Sequence, residues 1–177
     1  TPQHGMRYLT LGSLFIHQPG HEQARNYYRD LNLENATATV RYEVNGVNYT
    51  RTVFSSFSDN VIMVRLEADK SKALSFSLSY DSPLKSAVTV KGRKLLVRCE
   101  GAEHEGIPAA MHAECRVEVK TDGVQNTTDK QLVITDATTA TIYISAATNF
   151  VNYRDVSADA SKRAENYLKA AVRKPYE

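Results

Sequence analysis

Val40-Arg41-Tyr42-Glu43-Val44-Asn45-Gly46-Val47-Asn48-Tyr49-Thr50-Arg51-Thr52-Val53 decides the fold class. On its first limb Val40, Tyr42 and Val44 alternate with Arg41 and Glu43. On its second limb Val47, Tyr49, Arg51 and Val53 fall on one phase. Alternation with period two places successive side chains on opposite faces of a strand. Asn45-Gly46 stands between the limbs, and both residue types tolerate the positive φ of a two-residue hairpin turn. The stretch therefore predicts an antiparallel hairpin.

The same period extends outward in both directions. Strands are predicted over Leu9–Ile16, Tyr28–Leu33, Val61–Ala68, Leu74–Tyr80 and Ala87–Val90, and again over Lys94–Glu100, Met111–Lys120, Gln131–Thr135 and Thr139–Ala147. Turn formers such as Asp59-Asn60, Asp81-Ser82-Pro83, Lys91-Gly92 and Asp122-Gly123 separate them. Many short strands with regular turns and no helices between them read as an all-β antiparallel sandwich. The exception lies at the end of the chain. Between Ser157 and Lys174, Ala164, Tyr167, Leu168 and Ala171 repeat at the i, i+3, i+4, i+7 spacing of an amphipathic helix. Ser157 or Asp159 suits its start, and Pro175 ends it. That stripe must rest on this sandwich or on a neighbour.

A length of 177 residues is enough for one domain with a real core. Hydrophobic residues at 42% and charged residues at 24% exclude a disordered chain. No apolar run is long enough for a membrane-spanning helix. The net charge of +2 is dispersed, which predicts binding neither to nucleic acid nor to a membrane surface. Two cysteines, Cys99 and Cys115, rule out a disulfide-dense scaffold and a four-thiolate metal site. Both fall on the apolar phase of their strands, which favours buried thiols; a bridge between them needs a pairing geometry that spacing alone does not supply.

Residues that could carry chemistry do not converge. His17 and His21 have the spacing of a helical metal pair, but Pro19-Gly20 between them forbids a helix, so no metal site is predicted. Glu100, Glu103, Glu105, Asp136, Asp155 and Asp159 stand in charged or turn-like contexts, without the apolar setting that raises a carboxyl pKa. There is no nucleophile elbow, phosphate loop or dinucleotide fingerprint, so no cofactor and no catalytic residue is predicted. Tyrosines such as Tyr27 and Tyr28 suit sugar stacking, although on alternating strands such residues more often pack in the core. One segment stands out: Ala146-Ala147-Thr148-Asn149-Phe150-Val151-Asn152-Tyr153-Arg154-Asp155-Val156. It leaves a strand, gathers amides, aromatics and charges, and leads into the helix. A rigid sheet often presents function on such a loop. The competing reading is a connector whose amides satisfy its own backbone.

Six stretches, in this order, resemble a known family. They are Tyr8–Ile16 (YLTLGSLFI), Tyr28–Leu33 (YRDLNL), Ala36–Tyr42 (ATATVRY), Tyr49–Ser56 (YTRTVFSS), Val64–Leu66 (VRL) and Thr148–Tyr153 (TNFVNY). Together they are similar to the N-terminal domain of family-95 glycoside hydrolases, the α-L-fucosidases that act on terminal α-1,2-linked fucose. The resemblance implies an antiparallel β-supersandwich with one C-terminal, linker-type helix. Residues 1–156 would form the sandwich, whose first strands lie upstream, and residues 157–177 would lead to the catalytic domain. That domain is an (α/α)6 barrel of the same polypeptide, and it holds the inverting carboxylates. The resemblance places Asn149, Asn152, Tyr153, Arg154 and Asp155 near substrate or at a domain interface, with Tyr167, Leu168 and Ala171 on the interface helix. It further implies a fucosylated glycan as partner and a periplasmic or extracellular location. A free-standing carbohydrate-binding module is the alternative, resting on the tyrosines and polar loops.

Overall fold

Twelve strands and one helix occupy residues 10–176, the part of the chain that the computed structural model describes. In chain order the first six are β1 (Ser13–His17), β2 (Arg25–Asn32), β3 (Thr37–Val44), β4 (Val47–Ser56), β5 (Val61–Ala68) and β6 (Leu74–Asp81). The second six are β7 (Lys85–Lys91), β8 (Lys94–Glu100), β9 (His112–Thr121), β10 (Val124–Thr127), β11 (Leu132–Ala137) and β12 (Thr139–Thr148). Helix α1 (Ala160–Val172) follows. The predicted hairpin is β3–β4. Val44 pairs with Val47 across a turn in which Asn45 and Gly46 have φ of 51° and 72°. Only residues tolerant of the left-handed region close a two-residue turn that follows the strand twist.

The strands form two antiparallel sheets, consistent with an all-β sandwich. A small sheet runs β1-β6-β11-β10, and a large one runs β2-β3-β4-β5-β12-β9-β8-β7. Their facing sides share one core, in which Phe76, Leu78 and Ile134 of the small sheet meet Leu66, Val97, Val117 and Ile142 of the large one. Burying each such side chain contributes about 1.5–3 kcal/mol before the entropy of ordering is counted. Cys99 and Cys115 are both buried and both free thiols. Burial pushes the Cys115 thiol up to about 12, so it is held protonated and unreactive.

The helix makes a third layer on the outer face of the large sheet. Its stripe is Ala160, Ala164, Leu168 and Ala171, all buried. Leu168 and Ala171 pack against Val61, Met63 and Tyr143, with Tyr167 partly buried beside them. Leu168 and Ala171, expected on an interface helix, are covered by this chain's own sheet. Ser145 donates a buried hydrogen bond of 2.9 Å to the Ala164 carbonyl, and β12 is consequently buried on both faces. Below this layer Glu165 gathers Lys94 (2.8 Å), Lys169 (3.2 Å) and Arg116.

Several elements differ from the sequence reading at their ends; β2 starts at Arg25 and β7 spans Lys85–Lys91. Of the two helix starts the sequence offered, Asp159 is the cap: it accepts the Lys162 N–H at 2.9 Å and the helix begins at Ala160, while Asp155 accepts the Ser157 N–H at 2.8 Å. Strand β10 was not expected, since Val124 is its single apolar residue; its pairing with β11 creates it. The ladder of β1 begins at Ser13, and Leu9, where that strand was predicted to start, lies outside the described residues. Asp159→Ala is expected to destabilise the chain by about 1 kcal/mol in urea denaturation, the usual worth of an N-cap. An unchanged midpoint would show the cap idle.

Candidate functional site

The loop after β12 divides into a fixed base and an exposed tip. Asn149 is 3% exposed. Its Oδ1 accepts the His112 N–H at 2.9 Å, and its Nδ2 donates to the carbonyls of Ala110 (2.9 Å) and Val156 (2.8 Å). Its backbone N–H donates to His112 O, and its carbonyl accepts from Ala158 N–H. Every polar atom of the side chain is engaged within the chain. Asn149 therefore ties the loop to the segment before β9, with its side-chain amide spent on that tie.

The tip is a tight turn. Asn152 and Asp155 form an isolated antiparallel bridge, with Asn152 Oδ1 accepting the Arg154 N–H at 2.9 Å. This pattern is the self-satisfying loop that asparagine side chains favour. Tyr153 is 82% exposed, and the Arg154 guanidinium lies 4.9 Å from its ring centre. Phe150 and Val151 are also exposed, while Arg163 of α1 donates to the Phe150 carbonyl at 2.7 Å and braces the turn from below. The Ser157 hydroxyl and N–H hold the Asp155 carboxyl below its ordinary range, so it is an anion and not a proton donor near neutral pH. A stacked phenol and guanidinium on a braced turn can cover an apolar sugar face or an adjoining protein surface.

Beside the loop opens a cleft of about 330 Å³, lined mainly by apolar groups that include Leu11, Leu84, Met111 and Ala147, with Thr148 at its edge. At the far end of the large sheet lies a second cleft of about 350 Å³, among Gln18, His21, Tyr27, Tyr42 and Arg51. The sequence reading missed it, having weighed His17 and His21 as a helical metal pair. A signal was present: Arg51 occupies the same phase as Val47, Tyr49 and Val53, where an inward position carries a charge.

Two comparisons bear on these features. A family model described as Glycosyl hydrolase family 65, N-terminal domain, matches residues 1–153. Alpha-L-fucosidase 2 of Arabidopsis thaliana is 31% identical over 147 residues, covering 71% of this chain and 17% of that protein. The chain thus spans about a sixth of the length of that relative.

Proposed function

From the premise that the chain belongs to the N-terminal domains of glycosyl hydrolase family 65, we propose that it serves a fucosidase as a non-catalytic domain. The observation that carries this reading is its 31% identity to a protein named alpha-L-fucosidase 2. The finer assignment is to family 95. The parent then releases terminal α-1,2-linked fucose with inversion, using paired carboxylates in an (α/α)6 barrel of the same polypeptide. Inversion needs one carboxylic acid to protonate the leaving oxygen and one carboxylate to activate water on the opposite face. Asp155, held as an anion by Ser157, does not suit the acid's role.

Residues 1–156 form the supporting sandwich in this reading, and residues 157–177 carry the chain toward the barrel while α1 stays seated on the sheet. Asn152, Tyr153, Arg154 and Asp155 border the substrate entrance or the seam between domains, with Tyr153 and Arg154 outermost. The parent acts in the periplasm or outside the cell, where fucosylated glycans occur. The isolated 177-residue chain is expected to release no fucose from 2′-fucosyllactose, whereas the parent enzyme does. Robust turnover by the isolated chain would sink the proposal.

A further inference from the structure

Val40, Tyr42, Tyr49 and Arg51 lie on the inner face of the large sheet, where Val40 pairs with Arg51 and Tyr42 with Tyr49. The β1–β2 connection, residues 18–24, brings Gln18 and His21 against them. A guanidinium at such a position is costly unless its N–H groups find partners. Arg51 donates from Nη2 to Gln18 Oε1 at 2.9 Å. Its Nε is buried without a partner, and no carboxylate pairs with it among the described residues.

The proton positions around it follow from what each group is able to do. A guanidinium only donates, so the glutamine atom facing it is the oxygen. That oxygen only accepts, so Tyr42, at 3.3 Å, donates its one hydroxyl proton to it. His21 Nδ1, 2.9 Å from the Tyr42 oxygen, must then be the N–H donor. Burial lowers the His21 pKa, so near neutral pH the ring is uncharged and Nε2 carries a lone pair. The cleft thus offers donors on Arg51 and an acceptor on His21. Tyr27, 61% exposed, adds an aromatic face to the lining.

A ligand that matches must accept from the guanidinium and donate to the imidazole. A fully deprotonated oxyanion such as sulfate or a carboxylate has no proton for His21 and meets the Glu22 carboxylate in the same lining, and an ammonium is repelled by Arg51. Hydroxyl groups do both. A volume of about 350 Å³ falls within the usual range of small-molecule clefts. We propose that this cleft is a saccharide subsite in which Arg51 and His21 read a pair of neighbouring hydroxyls on a pyranose stacked against Tyr27. The choice of a sugar among polyols rests on the glycoside-hydrolase reading; the site itself rests on the hydrogen-bond chain.

The test is an NMR titration of the 177-residue chain with L-fucose, D-galactose, 2′-fucosyllactose and inorganic sulfate in turn. At least one saccharide is expected to bind with millimolar affinity and to shift the Arg51 Nε–H and the His21 amide, while sulfate at equal concentration does not. Tyr27→Ala, at an exposed ring, is expected to weaken binding about three- to tenfold. Arg51→Lys keeps the charge but loses the planar fork and is expected to cost about tenfold or more. Phe57→Ala, at an exposed ring outside the cleft, should leave the affinity unchanged. Equal binding of sulfate, no shift with any saccharide, or full affinity in Tyr27→Ala overturns the inference. Were the titration to fail while the parent enzyme released fucose, only the subsite would fall. Were binding seen while the parent released no fucose, the subsite would stand and the fucosidase reading would fall.

Discussion

Asn149→Ala is expected to lower stability by about 2 kcal/mol, which makes it the most damaging single change in the loop that leaves β12. The truncation strips partners from three backbone groups at once: the His112 N–H and the carbonyls of Ala110 and Val156. Leaving a buried backbone group unpaired costs about 1–3 kcal/mol; Ala110 and Val156 are exposed residues whose carbonyls water partly re-partners, so most of the cost falls on the His112 N–H and on the lost tie itself. Asn149→Asp is expected to fare no better. A carboxylate has no proton to offer the two carbonyls that Nδ2 now serves, and its charge would be buried against them. Urea denaturation of both variants measures the effect. A loss below about 1 kcal/mol in Asn149→Ala would show that the loop is held elsewhere.

That expectation separates two kinds of residue within one loop. Asn149 belongs to the structure that holds the turn, whereas Tyr153 and Arg154 present side chains outward from it. Substitutions at exposed positions away from caps and networks usually stay within about 0.5 kcal/mol. A change at the tip therefore reports on what the loop touches, and a change at the base reports on whether the loop is placed at all. For a domain read as bordering a hydrolase's substrate entrance, rigid support of this kind lets a surface turn hold one pose.

The sandwich was legible because period-two patterning is a local signal. Residues 40–53 specify their own turn and register, and the observed pairing of Val44 with Val47 follows directly. Strand β10 was not legible, because an edge strand with one apolar residue owes its conformation to the strand beside it. The helix could be read from its stripe, but not what the stripe rests on. Only one phase of Thr139–Ser145 is apolar (Ala140, Ile142, Ile144); the other carries the hydroxyls of Thr139, Thr141, Tyr143 and Ser145 and reads as solvent-facing, yet β12 is buried by the core on one side and by α1 on the other. At the candidate sites, sequence marked the loop yet did not distinguish Asn149 from Asn152. Both are amides in a polar run, and only the three-dimensional course of residues 110–112 decides which becomes buried. Arg51 illustrates the converse. It broke an apolar phase in plain view, but a single charge in a strand reads as an edge feature until its partners are known.

Glu165→Gln is the second large effect, and its size depends on pH in a direction the structure dictates. The Glu165 side chain is 19% exposed and sits among Arg116, Lys94 and Lys169. Burial by itself would raise its pKa, but hydrogen bonds from Lys94 and Lys169 and the charges of Lys94 and Arg116 outweigh it and hold the carboxyl at about 2, down from 4.5. A carboxyl whose pKa is lower in the folded chain stabilises it fully above the unfolded value, and that contribution fades as pH falls from about 4.5 toward 2. Linkage over that interval amounts to about 3 kcal/mol at most, and partial exposure of the cluster brings it nearer to about 2 kcal/mol. The glutamine variant keeps the shape but removes the charge opposite Arg116, whose Nε is already buried without a partner. It should therefore be less stable than the parent chain by about 2–3 kcal/mol at pH 7 and by about 1 kcal/mol or less near pH 3. Urea denaturation of both proteins at the two pH values decides the matter. A gap of equal size at pH 7 and pH 3 would mean that Glu165 acts through packing alone. The consequence reaches beyond stability, because Lys94 of β8 and Arg116 of β9 both bond to Glu165 on α1. In the proposed function this clasp sets the direction in which the chain leaves the sandwich, so loosening it should disturb the placement of the catalytic barrel before it disturbs either sheet.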